Sequence, residues 1–170
     1  VVLELIGNFG MLVPILQTFA SDEIKESIIK PMVRADLFVC FAFTEPPMPT
    51  QPITDKTNKV KKSPNNDKSS PSFVSRRRLR TMATLRPDGS YELTGEKMYI
   101  SFAARSDYIL TACTIVDRDP STGELAPSNG ISLILVPSAL AGVTITPLHL
   151  HGWNSTSTTR IQYRSVRVPA

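Results

Sequence analysis

The feature that most constrains the fold is a two-residue alternation of apolar and polar side chains that begins at Thr81 and continues almost to the end of the chain. This period is typical of β-strands with one buried face, and the Pro, Gly, Asp and Ser clusters between the runs indicate turns. We predict strands at residues 81–86, 90–94, 97–101, 107–116, 130–136, 143–148 and 159–168. So many short strands predict a mostly antiparallel β-barrel or sandwich.

The last of these strands changes phase. Ile161 and Tyr163 occupy odd positions, whereas Val166 and Val168 occupy even ones. Because side chains alternate strictly between the two faces of a strand, this change predicts a β-bulge near Arg164 and Ser165.

The N-terminal part has a different period. Apolar residues recur at helical spacing through residues 1–36, with Ser21 as a candidate N-cap followed by two acids. Pro14 is expected to break or kink the first helical run, and Pro31 to end or bend the second helix soon after it. An apolar run at residues 38–43 predicts a buried strand. The fold class is therefore α+β: a partial helical N-terminal domain (residues 1–36) followed by a β-barrel domain (residues 37–170).

Residues 51–80 interrupt the barrel pattern. They contain nine basic and two acidic residues, so this segment carries a net charge of +7, whereas the other 140 residues carry −3 of the overall +4. With few large apolar residues, the segment predicts a disordered insert. Since the basicity belongs to this one segment, we expect no nucleic-acid partner.

Several classes of protein are disfavoured. No apolar run approaches the roughly 18 residues of a membrane span, and no secretory signal is visible. Cys40 and Cys113 lack metal-ligand or redox spacing, which favours an intracellular chain, without resolving a mitochondrial, peroxisomal or cytoplasmic location. His149 and His151 lack a third ligand, so no metal site is predicted. The start at Val1 indicates a fragment or trimmed product.

The informative motifs are distributed along the chain. An apolar strand ends in Thr44-Glu45-Pro46, and a later segment reads Tyr91-x-Leu93-x-Gly95-x-Lys97-x-Tyr99-Ile100-Ser101. Three shorter motifs follow: Gly130-Ile131-Ser132, Ala141-Gly142-Val143 and Val166-Arg167-Val168-Pro169. In order and spacing this series resembles the N-terminal-to-middle part of the acyl-CoA dehydrogenase family.

The resemblance implies an FAD-dependent oxidoreductase of fatty acid metabolism that removes hydrogen from the α,β positions of an acyl-CoA. It implies a cofactor site made of strand-end residues that hydrogen-bond or enclose the flavin: Phe41, Phe43, Thr44, Tyr99, Ile100 and Ser101. Thr50 would contact the substrate. The family's catalytic base lies in a C-terminal helical domain, so no catalytic residue is expected within these residues, and the 170 residues alone are expected to be inactive. A homo-oligomer is implied for the full-length parent.

The sequence departs from the family pattern after Thr-Glu-Pro. Pro47 and Pro49 stand where the family has a glycine-rich turn, and they restrict φ and remove backbone donors. Two alternatives therefore stay open. One is a non-catalytic or degenerate barrel module of the same fold, and the other is a flavin oxidase or monooxygenase relative.

Overall fold

Two short helices begin the part of the chain that the computed structural model describes, namely residues 7–47, 79–118, 122–128, 130–152 and 157–169. Helix α1 combines a π-helical turn, Asn8–Leu12, with an α-helical segment, Val13–Phe19. Helix α2 runs through Asp22–Ile24, the π-helical Lys25–Ile29 and Lys30–Val33. The Ser21 hydroxyl accepts a hydrogen bond from the Ile24 amide, so the predicted N-cap is confirmed.

Helix α1 continues through Pro14 to Phe19 without the predicted break, whereas α2 ends at Val33, two residues after Pro31, as predicted. A proline removes the hydrogen bond to the carbonyl four residues earlier and its ring crowds that carbonyl. For Pro14 and Pro31 these carbonyls belong to Gly10 and Ser27, and both lie within the π-helical turns. The wider turn accommodates the ring, and the helix continues.

Eight strands follow within the described ranges: β1 (Val39–Ala42), β2 (Met82–Leu85), β3 (Tyr91–Ile100), β4 (Tyr108–Arg118), β5 (Leu125–Pro127), β6 (Ser132–Pro137), β7 (Val143–Pro147) and β8 (Thr159–Val168). Hydrogen-bonded neighbours follow the order β1-β4-β2-β3-β8-β7, and β5 and β6 also pair with β4. Strand β4 pairs in parallel with β1 and β2, whereas the remaining pairs between the described strands are antiparallel. The α+β fold with a mostly antiparallel sheet is confirmed.

The sheet curls into a half-barrel. Strands β4 and β8 are not neighbours in the sheet, yet the Thr111 hydroxyl of β4 lies 2.7 Å from the Tyr163 hydroxyl of β8. Both side chains are buried, and each satisfies the other's polar atom. This contact across the interior shows how far the sheet is curled.

The two faces of β1 and β4 pack against two different hydrophobic cores. Cys40 and Ala42 point into the half-barrel, where they pack with apolar residues of β3, β4 and β8. Val39 and Leu110 point the other way, where they pack against Leu16 and other apolar residues of the helices. Because both faces are covered, β1 is a continuous apolar run rather than an alternating one.

The bulge predicted in the last strand is confirmed. Leu93 faces Val166, but Gly95 faces Tyr163, so β8 contains one extra residue between these pairs. Ser165 has a φ of 49°, and its side chain is exposed. The extra residue keeps the apolar residues on both sides of the bulge in the interior.

Two details of the predicted strands are wrong. Residues 90–94 and 97–101 belong to the single strand β3, because Gly95 lets the chain pass close to Thr81 without a break: a Cβ at Gly95 would lie 2.6 Å from the Thr81 Cα. Strand β5 was not predicted, since its three residues show no alternation and they form a strand only by pairing with the end of β4. Most of the basic segment, residues 51–78, lies outside the described residues.

Candidate functional site

The predicted cofactor residues come from two segments that meet at one end of the half-barrel. Strand β1 ends at Ala42, and the chain continues through Phe43 and Thr44 alongside β3. There the Met98 amide donates a hydrogen bond of 2.9 Å to the Thr44 carbonyl oxygen. Thr44 and the end of β3 are thus neighbours, although more than fifty residues separate them in the sequence.

The end of β3 leaves the regular ladder at this point. The pairing with β8 shifts between Lys97 and Ile100, and Tyr99 has a φ of 61°. A positive φ is costly for an aromatic residue, and such strain is often found at functional sites. As a result the Tyr99 side chain is 43% exposed and Ser101 is exposed as well.

Ile100 has a different position from its two neighbours. Its side chain is buried in the interior of the half-barrel, and its carbonyl oxygen accepts a hydrogen bond of 2.9 Å from the Thr159 hydroxyl. Any contact of Ile100 with a bound cofactor would therefore involve its main chain.

The two phenylalanines form a pair beside Thr44. The ring centroids of Phe41 and Phe43 are 5.8 Å apart, with an interplanar angle of 34°. Phe41 is half-buried against the helical cluster that contains Leu16 and Met32. Phe41 therefore has a packing role in this fold whether or not it also borders a cofactor.

Lys97 and Glu45 are both buried and are joined by an ion pair of 3.0 Å, although charged residues are ordinarily found at the surface. The sequence does indicate that Lys97 is buried, because it lies four residues after Leu93 and strand alternation places both residues on the interior face. Nothing local indicated that this face contains a carboxylate to receive the ammonium group.

The two carboxylates of β3, Glu92 and Glu96, lie on its outer face. Glu96 pairs with Arg160 of β8, and Glu92 pairs with Arg86 at 3.2 Å. Beside Glu96 there is an open groove of about 350 Å³, lined by residues of β3 and β8 together with Pro46 and Arg80. The groove begins next to the Thr-Glu-Pro segment.

Two further results concern only the described part of the chain. No group of three His, Cys, Asp or Glu residues there could hold a metal ion, and no helix there is long and apolar enough to cross a membrane. Thr50, the predicted substrate contact, lies outside the described residues.

The arrangement suits a planar, aromatic, hydrogen-bonding ligand. Thr44 and Ser101 provide hydroxyl groups from two different segments, and Tyr99 provides a partly exposed ring. Hydroxyl donors for a polar ring edge and an aromatic side chain for a ring face are the groups that a flavin requires from a protein. The donor set thus fits the isoalloxazine ring of FAD.

Comparison with known proteins gives the same class. The sequence model of the family "Acyl-CoA dehydrogenase, middle domain" matches residues 74–166. Acyl-CoA dehydrogenase FadE26 of Mycobacterium tuberculosis is 28% identical over 156 residues, which cover 92% of this chain and 32% of that protein.

Solved structures show the same fold. A probable acyl-CoA dehydrogenase from Mycobacterium abscessus is 21% identical with a TM-score of 0.68, and the match covers 95% of this chain and 35% of the other. A glutaryl-CoA dehydrogenase from Mycobacterium smegmatis in complex with FADH2 is 20% identical with a TM-score of 0.63, covering 94% of this chain and 32% of the other.

The curled sheet with its helical lead-in is thus the middle-domain fold of the acyl-CoA dehydrogenases. The chain belongs to the acyl-CoA dehydrogenase family, as its motifs indicated. It spans about a third of the length of these relatives.

Proposed function

We propose that this chain provides the flavin-ring site of an FAD-dependent acyl-CoA dehydrogenase. The observation that carries the proposal is the hydrogen bond between the Met98 amide and the Thr44 carbonyl oxygen, which places the Thr44 segment beside Tyr99 and Ser101. These residues match the family's cofactor-contacting motifs, and their side chains have the chemistry that a flavin needs. The FADH2 complex of the glutaryl-CoA dehydrogenase, which shares this fold, is consistent with the proposal.

Bound FAD would supply the acceptor for the hydride that leaves the β-carbon of an acyl thioester. Thr44 and Ser101 would donate hydrogen bonds to the edge of the ring, where negative charge develops during the transfer. Tyr99 would pack against the ring plane, and Phe43 would border it together with Phe41. Thr50, near the Thr-Glu-Pro segment in sequence, would contact the acyl-CoA.

Removal of the α-proton needs a base within hydrogen-bond reach of the substrate. Glu45 is the carboxylate nearest to Thr44 in the sequence, but it is buried and accepts hydrogen bonds from two main-chain amides and from Lys97. It is therefore unsuited to this role. In the resembled family the base comes from a C-terminal helical domain. The domain division at residue 37 stays a prediction from the sequence pattern, and self-association of the full-length parent stays one from the resemblance.

The direct test is titration of the chain with FAD, following the quenching of flavin fluorescence and the shift of its visible absorption bands. Saturable binding that Thr44→Val weakens supports the proposal. A chain that leaves the flavin spectrum unchanged at micromolar concentrations would contradict it and favour the non-catalytic module. If FAD binds, rapid reoxidation of the reduced flavin by oxygen would favour the oxidase or monooxygenase alternative instead.

A further inference from the structure

Lys97 is a buried cation with two partners that lie next to Thr44 in the sequence. Its side chain is 0% exposed, and its Nζ donates hydrogen bonds to the Phe43 carbonyl oxygen at 3.1 Å and to Glu45 Oε1 at 3.0 Å. An ammonium group in such a place is costly unless it is paired and hydrogen-bonded. The position of residues 43–45 relative to β3 is therefore tied to this side chain.

Glu45 extends these contacts to a third segment. Its Oε1 accepts the Thr81 amide at 2.8 Å, and its Oε2 accepts the Arg80 amide at 2.9 Å. Burial alone would raise the pKa of Glu45, but the amide hydrogen bonds and the charge of Lys97 outweigh burial and lower the pKa to about 2. The carboxylate is thus ionised at neutral pH. Through these hydrogen bonds it connects the chain just before Pro46 with the chain just after Leu79.

Thr44 lies between the two acceptors of Lys97. Its own carbonyl oxygen accepts the amide of Met98, the residue that follows Lys97. One stretch of β3 therefore contacts three consecutive residues, with the Lys97 side chain reaching Phe43 and Glu45 and the Met98 main chain reaching Thr44. Ser101 lies just beyond the same strand, so these contacts determine how the two hydroxyl groups are placed relative to each other.

We propose that Lys97 is a positioning residue for the cofactor site: through Phe43 and Glu45 it holds the Thr44 hydroxyl in register with Ser101 so that both reach the same ring edge. This inference rests on the proposed function, since the ligand whose contacts Lys97 organises is the flavin. Lys97 itself does not touch the ligand.

A double-mutant cycle on FAD affinity separates positioning from general stabilisation. Thr44→Val should weaken binding about fivefold through the loss of one hydrogen bond. Lys97→Met should weaken it about tenfold or more, because the Thr44 hydroxyl leaves its register. Thr44→Val should then change the affinity of the Lys97→Met chain less than about twofold. Independent, additive losses would overturn the inference while leaving the proposed function in place.

A readout without flavin tests the same contacts. In Lys97→Met, hydrogen exchange of the Met98 amide should accelerate about tenfold or more, because its acceptor on Thr44 is released. The Arg164 amide, which donates to the Gly142 carbonyl oxygen at 3.0 Å elsewhere in the sheet, serves as the internal control and should be unaffected. Equal changes at both amides would show a global loss of stability and overturn the positioning role.

If Lys97→Met leaves Glu45 buried with only the Arg80 guanidinium, 3.4 Å away, as a cation and the chain does not fold, Glu45→Gln/Lys97→Met replaces it in both experiments, because it removes both charges of the Lys97–Glu45 pair together. The same coupling to Thr44 and the same selective exchange at Met98 support the inference, and their absence overturns it. Failure of the unaltered chain to bind FAD overturns the proposed function instead, and the exchange experiment still decides whether Lys97 holds Thr44.

Discussion

Lys97 Nζ lies 3.0 Å from Glu45 Oε1, although the two residues are 52 positions apart in the sequence. The pair joins the segment after β1 to the interior face of β3, and the Glu45 carboxylate also binds the amides of Arg80 and Thr81 just before β2. Three segments of the chain thus meet around one buried carboxylate.

Acid should destabilise the fold through Glu45. Its pKa is about 2 in the folded chain, below its ordinary value of 4.5, so between these values the unfolded chain binds more protons than the folded one. The contribution of the Glu45 carboxylate to the free energy of unfolding is therefore fully present above about pH 5 and is lost as the pH falls toward 2. The loss is on the order of 3 kcal/mol. Urea unfolding at a series of pH values measures this loss. Glu45→Gln should remove it, whereas Glu124→Gln, at an exposed carboxylate, should retain it.

Ser101→Ala should weaken FAD binding about fivefold, the usual effect of losing one hydrogen bond of about 1 kcal/mol. Fluorescence titration gives the dissociation constant. The matched control is Ser128→Ala, at an exposed serine beyond β5, which should leave the affinity unchanged. An equal loss at both positions would contradict the assignment of Ser101 to the ring edge.

Gly95→Ala should destabilise the fold by about 3 kcal/mol, because the new Cβ would lie 2.6 Å from the Thr81 Cα and the φ of 151° favours glycine. Thermal and urea unfolding measure the change. Gly130→Ala is the control, since no atom lies within 4 Å of a Cβ there. Similar stability of the two variants would show that β2 can move away from β3 at low cost.

Replacing residues 53–77 with a short Gly/Ser linker should change the free energy of unfolding by no more than about 1 kcal/mol, because the entropy of loop closure depends only logarithmically on length. The described residues on either side of it are joined by the hydrogen bonds from the Arg80 and Thr81 amides to Glu45. Urea unfolding of both chains provides the comparison. A much larger loss of stability would show that the basic segment packs on the half-barrel.

The 170-residue chain loaded with FAD should not be bleached by acyl-CoA under anaerobic conditions. The depressed pKa and the hydrogen bonds of Glu45 make it a poor proton acceptor, and Glu92 and Glu96 pair with arginines on the outer surface. Flavin absorbance during titration with acyl-CoAs of several chain lengths is the measurement. Bleaching at a catalytic rate would mean that a base lies within these residues.

Much of the fold followed from local patterns in the sequence. The helical period before residue 36, the two-residue period after Thr81 and the phase change in the last strand each depend only on which side chains must be buried. The bulge at Arg164 and Ser165 could be predicted because one extra residue reverses the faces of everything beyond it. The family resemblance likewise rested on short motifs whose order could be read directly.

Tertiary contacts decided the rest. The sequence placed Thr44 and Ser101 on two strand ends, but only the parallel pairing of β1 with β4 and the curl of the sheet bring those ends together. Strand β5 formed from residues without a strand pattern because β4 offered it an edge. A charged residue such as Lys97 is read as exposed unless its partner is known, and that partner, Glu45, comes from a distant segment. A charged side chain can be buried only together with a partner, and only the tertiary structure brings together partners that are distant in the sequence.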